Sequence, residues 1–436
     1  MRVRDVLLGG SLALCCMLCV SENTDAADTL LLSRQQAEQI FIQKNLSLIA
    51  EKLNVEQAEA MVIQAKLWPN PSLSIDEVNL WATPKQLSMG EELPPLFGDS
   101  FGRNRQVSIE LEQVLLTAGK RRKLVAFENI GKEIASVYYE ELLRNLKVEL
   151  RNSLTQLQYL QNFQTVFGRQ ISETQQLLRA YQRQLSTGNI ERAEVVRLKA
   201  LVIELRHEQA AMQKEIYELQ KELVVLLALP SDTYLLIEDE DLQPEIYNPE
   251  QYQLAELLSK ANEKRPDLLV SGLESDQFEK LFAYERANRV PDLALKAGYD
   301  RGGNFLYNFI GFGIGIDLPL FNRNQGNIKY AQIGMEKAGF LQQEKQRHVE
   351  AEVIQAFLRL SASFDLYQSV EPDYESELDQ MLGSYTSNFI NRNVGMLEFL
   401  DFLDAYLTTK KNILEAKREL IINFEELKFA VGSELE

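Results

Sequence analysis

Cysteine is nearly missing from this chain. Its three cysteines, Cys15, Cys16 and Cys19, all fall within the first twenty residues, so disulfides cannot hold the rest together. Histidine is scarce as well, with only His207 and His348. His348 and Glu352 share a helical face at i and i+4, but no further ligand stands at matching spacing, and a solvated helix surface is the ordinary reading of the pair. No nucleophile–base set, phosphate loop or zinc motif occurs, so neither catalysis nor a cofactor nor a bound metal is expected. Glycine and proline are not enriched, which excludes collagen-like and disordered classes. Basic residues are outnumbered, 46 against 64 acidic, for a net charge of −18. Such a chain repels nucleic acid phosphates. Long hydrophobic runs are absent, and at 45% hydrophobic and 25% charged the chain is too polar for a multi-span helical membrane protein. The one apolar run, Val6 to Val20 behind Arg2 and Arg4, reads as an export signal over residues 1–21 and is too short to span a bilayer. Cys19 as a lipid attachment site and plain cleavage near Ser21 or Ala27 both stay open.

Against these absences stands one distinctive stretch, Ile310 to Gln332. Ile310, Phe312, Ile314, Ile316 and Leu318 alternate with Gly311, Gly313, Gly315 and Asp317. Period-two alternation is a strand. An all-apolar face opposite glycines and an acid suits a wall with lipid on one side and water on the other. Pro319 stops the ladder because it has no N–H to donate. A polar turn follows at Asn322 to Gly326, and then a long helical pattern begins.

The rest of the chain contains a second copy of this order. A helical pattern over Ser33 to Leu67 ends at Trp68, Pro69 and Pro71. Strands are predicted near 71–78 and 106–116; in the second, Val107, Ile109 and Leu111 oppose Gln106, Ser108, Glu110 and Glu112. Helices follow over 120–187, about 100 Å long, and over 191–229, where leucines recur at coiled-coil spacing. Residues 22–230 thus form a first repeat. Residues 231–262 read as an equatorial linker with some helix. The second repeat, 263–432, has strands near 291–300 and 308–320 and helices over 326–390 and 396–431. Pro71 and Pro291 lie as far apart as Asn45 and Arg265. Tyr181, Asn189 and Glu194 keep one constant separation from Tyr385, Asn393 and Glu398. Two copies of helix–strand–strand–helix–turn–helix are far more specific than any lone motif. Pro372 is the misfit: it either kinks its long helix or splits it in two.

Four strands cannot close a barrel of useful size, and open edges are not tolerated in lipid. Three copies would supply twelve strands and a water-filled interior. The expected fold class is therefore mostly α with a small membrane β part. A homotrimer would form a 12-stranded β-barrel continued by a long α-helical barrel. The helix–helix turns would lie together at the far end, about 100 Å from the strands.

Particular motifs carry a family resemblance over essentially the whole chain beyond the export signal. They include LPLF at Leu318–Phe321 with NQG at Asn324–Gly326, and RPD at Arg265–Asp267. NVG at Asn393–Gly395 with LDFLDA at Leu400–Ala405, LLAL at Leu226–Leu229 and FAVG at Phe429–Gly432 complete the set. The chain resembles the TolC family of outer-membrane efflux ducts. QVLLTAGKR at Gln113–Arg121 and EVN at Glu77–Asn79 look most like the heavy-metal branch, similar to CzcC and CusC proteins. The resemblance implies a passive duct in the outer membrane of a diderm bacterium, extending into the periplasm. It would work with a periplasmic adaptor (a membrane fusion protein) and an inner-membrane transporter of RND or other type. Heavy-metal cations are one candidate cargo. The carried-over docking tips are Thr187, Gly188, Asn189 and Ile190 in one turn and Asn393, Val394, Gly395 and Met396 in the other. Because Arg392 replaces Gly188 in the second copy, the two turns are expected to differ. The segment before the second turn, Tyr385 to Ile390, lacks the acids that gate some relatives, which leaves Arg392 and Glu398 as gate candidates, or a looser gate.

Glu110, Glu112 and Asp317 alternate away from the lipid face and would form lumen acidic rings, with either cation preference or simple hydration as their role. Asp401 and Asp404 read as supports of the tip rather than an acid–base pair. Two other classes compete: a periplasmic coiled-coil scaffold without a pore, and a specific porin, which would have short turns where this chain has long helices.

Overall fold

The computed structural model describes residues 29–76, 107–238, 244–301, 308–371 and 373–435. The export signal with Cys19, the loop after the first strand with Glu77 to Asn79, and Pro372 lie outside the described residues. The chain begins with β1 (Thr29–Leu32), α1 (Arg34–Lys44), α2 (Leu46–Ala65), β2 (Ser72–Asp76), β3 (Val107–Leu115), α3 (Lys120–Ser186) and α4 (Arg192–Leu226). After β4 (Tyr234–Ile237) follow α5 (Leu254–Lys264), α6 (Pro266–Asn288), β5 (Leu293–Arg301), β6 (Asn308–Ile316), α7 (Gln325–Gln368), α8 (Tyr374–Ile390) and α9 (Met396–Val431).

The strands β2, β3, β5 and β6 form one antiparallel sheet in that order. Beneath it the ends of α2, α3, α6 and α7 stand side by side. The continuous α3 runs past this row and packs in its lower half on α4 and α9. Its lower half contributes Leu150, Leu154, Leu157 and Phe163 to the main core, which Leu198, Leu205, Ile216 and Leu223 of α4 complete. The four α4 residues belong to the seam read from the sequence, whose three- and four-residue steps keep it on one face. A second core joins α5, α7 and α9 through Leu257, Val353, Leu360, Phe424 and Leu427. At Gly334 of α7 the ring of Phe278 sits where a Cβ would be, 2.3 Å away, so α6 approaches α7 closely only because this position is glycine.

Several expectations are corrected. The first helical pattern is two helices, broken at Asn45 (φ −60, ψ 120). The Asn45 side chain accepts the Leu48 N–H at 3.0 Å and donates to the Leu226 carbonyl at 2.8 Å, so it caps one helix while tying down the end of another. Arg265 makes the matching break between α5 and α6 (φ −67, ψ 120) and donates to the Ala430 carbonyl at 3.1 Å. The stretch 231–262, read as a linker with some helix, also carries a strand: β4 pairs in parallel with β1, and the Gln220 side chain clamps Leu235 through both its N–H and its carbonyl, at 2.8 and 2.7 Å. The long helix 326–390 is split, since α7 ends at Gln368 and α8 begins at Tyr374. The last strand ends at Ile316, so Asp317 and Leu318 continue the alternation without joining the ladder.

Candidate functional site

The sheet sets out two faces by register. Glu110 pairs with Gly298 and that with Gly311; Glu112 pairs with Lys296 and that with Gly313. Directly paired residues share a face, so Glu110, Glu112, Lys296 and the three glycines of β6 lie together. The other face carries Leu73, Ile75, Ile109, Leu111, Leu295 and, from β6, Ile310, Phe312, Ile314 and Ile316. It is unusually bare: Phe312 is 86% exposed and Ile314 70%. Lys296 was missed in the sequence. Its Nζ lies 2.8 Å from Glu110 and 2.9 Å from Glu112, so the face holds an acid–lysine–acid cluster rather than a bare acidic ring. The signal was present, because Lys296 occupies a polar-face position of β5 between Ala294 and Gly298. Asp317 is exposed beyond the strand end.

The two turns come together at the opposite end. Gly188 has φ 78 and Arg392 φ 65. Both turns close with the same bonds: Gly188 N–H to the Leu185 carbonyl and Arg392 N–H to Phe389, then Asn189 N–H to Gln184 and Asn393 N–H to Asn388. The two turns therefore share one backbone scheme and differ in the side chain at the left-handed position. Backbone bonding fixes the left-handed residue in both, and arginine bears a strain of about 1 kcal/mol that glycine avoids. Arg392 Nη2 donates to Gln184 Oε1 at 2.7 Å, and Tyr181 stacks on Phe389, with centroids 5.3 Å apart. Phe389 in turn stacks on Phe399. Burial, then the charge of Glu194, pushes the Tyr181 hydroxyl up to about 12. Of the expected tip residues, Thr187, Gly188, Asn189, Asn393 and Gly395 are exposed, and Ile190 and Val394 are half-buried. Met396 is corrected: it starts α9 facing inward, 7% exposed, against the core.

Between sheet and tips lies a network around Arg265. Its guanidinium grips Asp267 through two bonds of 2.9 and 2.7 Å and also reaches Glu352 at 2.6 Å. Burial alone would raise the Asp267 carboxyl, but Arg265, with Arg144 and Lys345, outweighs it and holds it at about 2. Glu352 is thus engaged by Arg265 as well as lying 3.6 Å from the exposed His348. Among the described residues no three His, Cys, Asp or Glu side chains cluster as a metal site would need. A parallel network links Arg151 to Glu38, Glu425 and Glu434.

With this geometry in place, residues 257–433 match the profile of a family described as outer membrane efflux protein. Over these residues the chain is similar to outer membrane efflux proteins. The match covers α5 through α9, the two strands between them and the second tip turn. The chain is 22% identical over 365 residues to the cobalt-zinc-cadmium resistance protein CzcC of Cupriavidus metallidurans, covering 84% of this chain and 80% of that protein. The fold is shared with CusC (TM-score 0.69, 18% identity, 92% of each chain). It is shared too with the outer membrane protein VceC of Vibrio cholerae (TM-score 0.70, 14% identity, 92% of this chain and 96% of that one). The mostly helical fold with a small sheet, expected from the sequence, is the one these structures share.

Proposed function

We propose that three copies of this chain form a passive outer-membrane duct, with a 12-stranded barrel in the bilayer and a helical tunnel in the periplasm. The observation that carries this reading is the sheet. It ends on β2 and β6, each with one neighbour, and its apolar face is covered by nothing among the described residues, with Ile310 68% exposed beside Phe312 and Ile314. In water such a surface and such edges invite aggregation. In lipid, closed by two further copies, both are satisfied. Exposed apolar residues on α4, such as Ile203 at 69% and Tyr217 at 61%, and on α7, such as Phe340 at 65%, would meet across the copies. The scaffold reading leaves the bare sheet face unexplained. Fractionation without detergent tests the choice: recovery in the outer membrane as a crosslinkable trimer is expected, and recovery in the soluble periplasm overturns the duct.

In this reading the tips dock a periplasmic adaptor, which connects the duct to an inner-membrane transporter that supplies the energy. The chain itself performs no chemistry. The likeness to a protein named for cobalt, zinc and cadmium resistance supports metal cations as cargo. A strain lacking the gene should then become sensitive to such metals and stay resistant to bile salts and dyes. Sensitivity to the organic compounds alone overturns the metal assignment.

Glu110, Glu112 and Asp317 would face the lumen, with Lys296 offsetting part of their charge. Replacing Lys296 with methionine should raise the cation preference of the reconstituted channel, read as a larger reversal potential in a potassium chloride gradient. An unchanged potential would remove these side chains from the permeation path.

A further inference from the structure

The level where the sheet meets the helices carries a patch that the duct reading alone does not require. On its apolar side, Trp68 is 52% exposed, Leu318 72%, Leu320 62% and Phe321 93%. Beside these lie cations. Arg121 Cζ sits 4.2 Å over the Trp68 ring, and its Nη1 donates to the Lys66 carbonyl at 3.0 Å. Arg122 and Lys123 follow it in the first turn of α3, Arg289 ends α6, and Arg323 stands in the linker before α7. These segments share one level. Thr117 bonds to Pro291 and Asp292, and Asn324 bonds to Glu285 near the end of α6. Lys120 is spoken for by Asp292 at 2.7 Å.

The chain as a whole is strongly acidic, with net charge −18. Helix formation does not account for this local reversal, because cations in a first turn oppose the helix dipole. Exposed aromatic and aliphatic side chains interleaved with arginine and lysine match the chemistry of a bilayer's interfacial zone, and the charge matches an anionic surface. We propose that this junction is a docking surface for anionic phospholipid headgroups, such as phosphatidylglycerol, in the leaflet nearest the helices. Trp68 and Phe321 would sit at headgroup depth while Arg121, Arg122, Lys123 and Arg323 hold lipid phosphates. The proposal rests on the duct reading, since it needs the sheet in a membrane.

The test uses the full protein reconstituted in mixed vesicles of phosphatidylglycerol and phosphatidylcholine, each lipid spin-labelled in turn, to read their relative association with the protein. A several-fold preference for phosphatidylglycerol is expected, falling in 0.5 M salt, as about a fivefold weakening per lost cation on an anionic surface implies. The combined substitution Arg121→Gln, Arg122→Gln, Lys123→Gln should bring it towards one. Arg323→Gln, in an exposed linker where folding is not at stake, should lower it by a smaller factor. Equal association of the two lipids with the inserted protein, or full preference kept in both variants, overturns the proposal and leaves the duct standing. Loss of the preference on adding millimolar glycerol 3-phosphate would indicate a soluble-phosphate site and also overturns it. Failure of the protein to insert at all overturns the duct reading first and the lipid surface with it.

Discussion

Asp267→Asn is expected to destabilise the protein by about 3 kcal/mol or more. Arg265 is 3% exposed and Asp267 8%, and a buried charge stripped of its partner costs about 3–5 kcal/mol. Glu352 and the Ala430 carbonyl would still hold one guanidinium nitrogen, which places the loss near the lower end. The consequence reaches beyond the pair. Asp267 also faces Arg144 of α3 at 3.7 Å and Lys345 of α7 at 3.6 Å, so one carboxylate joins three helices. Gly432, with φ 75, leaves the space that Arg265 fills, since a Cβ there would come within 3.1 Å of the Arg265 Cα. By contrast Glu426→Gln, which breaks the exposed pair with Arg359, should cost under about 1 kcal/mol. The acid dependence has a defined sign. Asp267 and Glu434 are held near 2, below their ordinary values of 3.8 and 4.5, so the unfolded chain takes up protons that the folded chain refuses. Their contribution is complete above about pH 5 and is lost as pH falls to about 2. Denaturant unfolding of the detergent-solubilised protein at several pH values checks both points: the variant should show a lower midpoint at neutral pH and a shallower loss on acidification. An unchanged midpoint would mean that Arg265 is satisfied without Asp267.

What the sequence disclosed and what it hid follow from the range of the forces involved. The β6 alternation was legible because each residue's face is set by its own position and one face is wholly apolar. The repeat was read from markers that recur in register; in the structure Asn45 and Arg265 each break a helix with extended backbone, and Gly188 and Arg392 each take a left-handed conformation. The Arg265 break was readable from Pro266, which disfavours helix at the residue before it. The Asn45 break was not, because asparagine is tolerated within helices and its capping role depends on the distant Leu226 carbonyl. The pairing of β1 with β4 joins two short apolar segments, TLLL and YLLI, from opposite ends of the first repeat, and neither shows any period. Lys296 was hidden for a related reason: its meaning comes from two glutamates on another strand. Met396 looked like a tip residue by its place in the NVGM run, but the direction of the first turn of α9 carries it into the core.

Gly395→Trp is expected to reduce export to the level of a strain lacking the gene while leaving the trimer intact. Gly395 has ordinary backbone angles, φ −76 and ψ 158, and nothing lies within 4 Å of an added Cβ. The fold therefore has no use for glycine there, and a large side chain should cost little stability. What it would do is occupy the open space at the tip where the proposed adaptor approaches. The paired position in the first turn is Glu191, which caps α4 with the same extended backbone, φ −79 and ψ 145, so a side chain at this site is compatible with the turn. Gly188→Trp is the less decisive variant. Its φ of 78 would charge any larger residue about 1–2 kcal/mol, mixing strain with docking, although Arg392 shows that the turn itself can bear the strain. The reading is made by measuring export, trimer abundance and melting temperature together with crosslinking to the adaptor. Lost export and lost crosslinks with unchanged abundance and melting place the adaptor at this tip. Normal export in the Gly395→Trp strain would move the docking surface elsewhere on the helical tunnel.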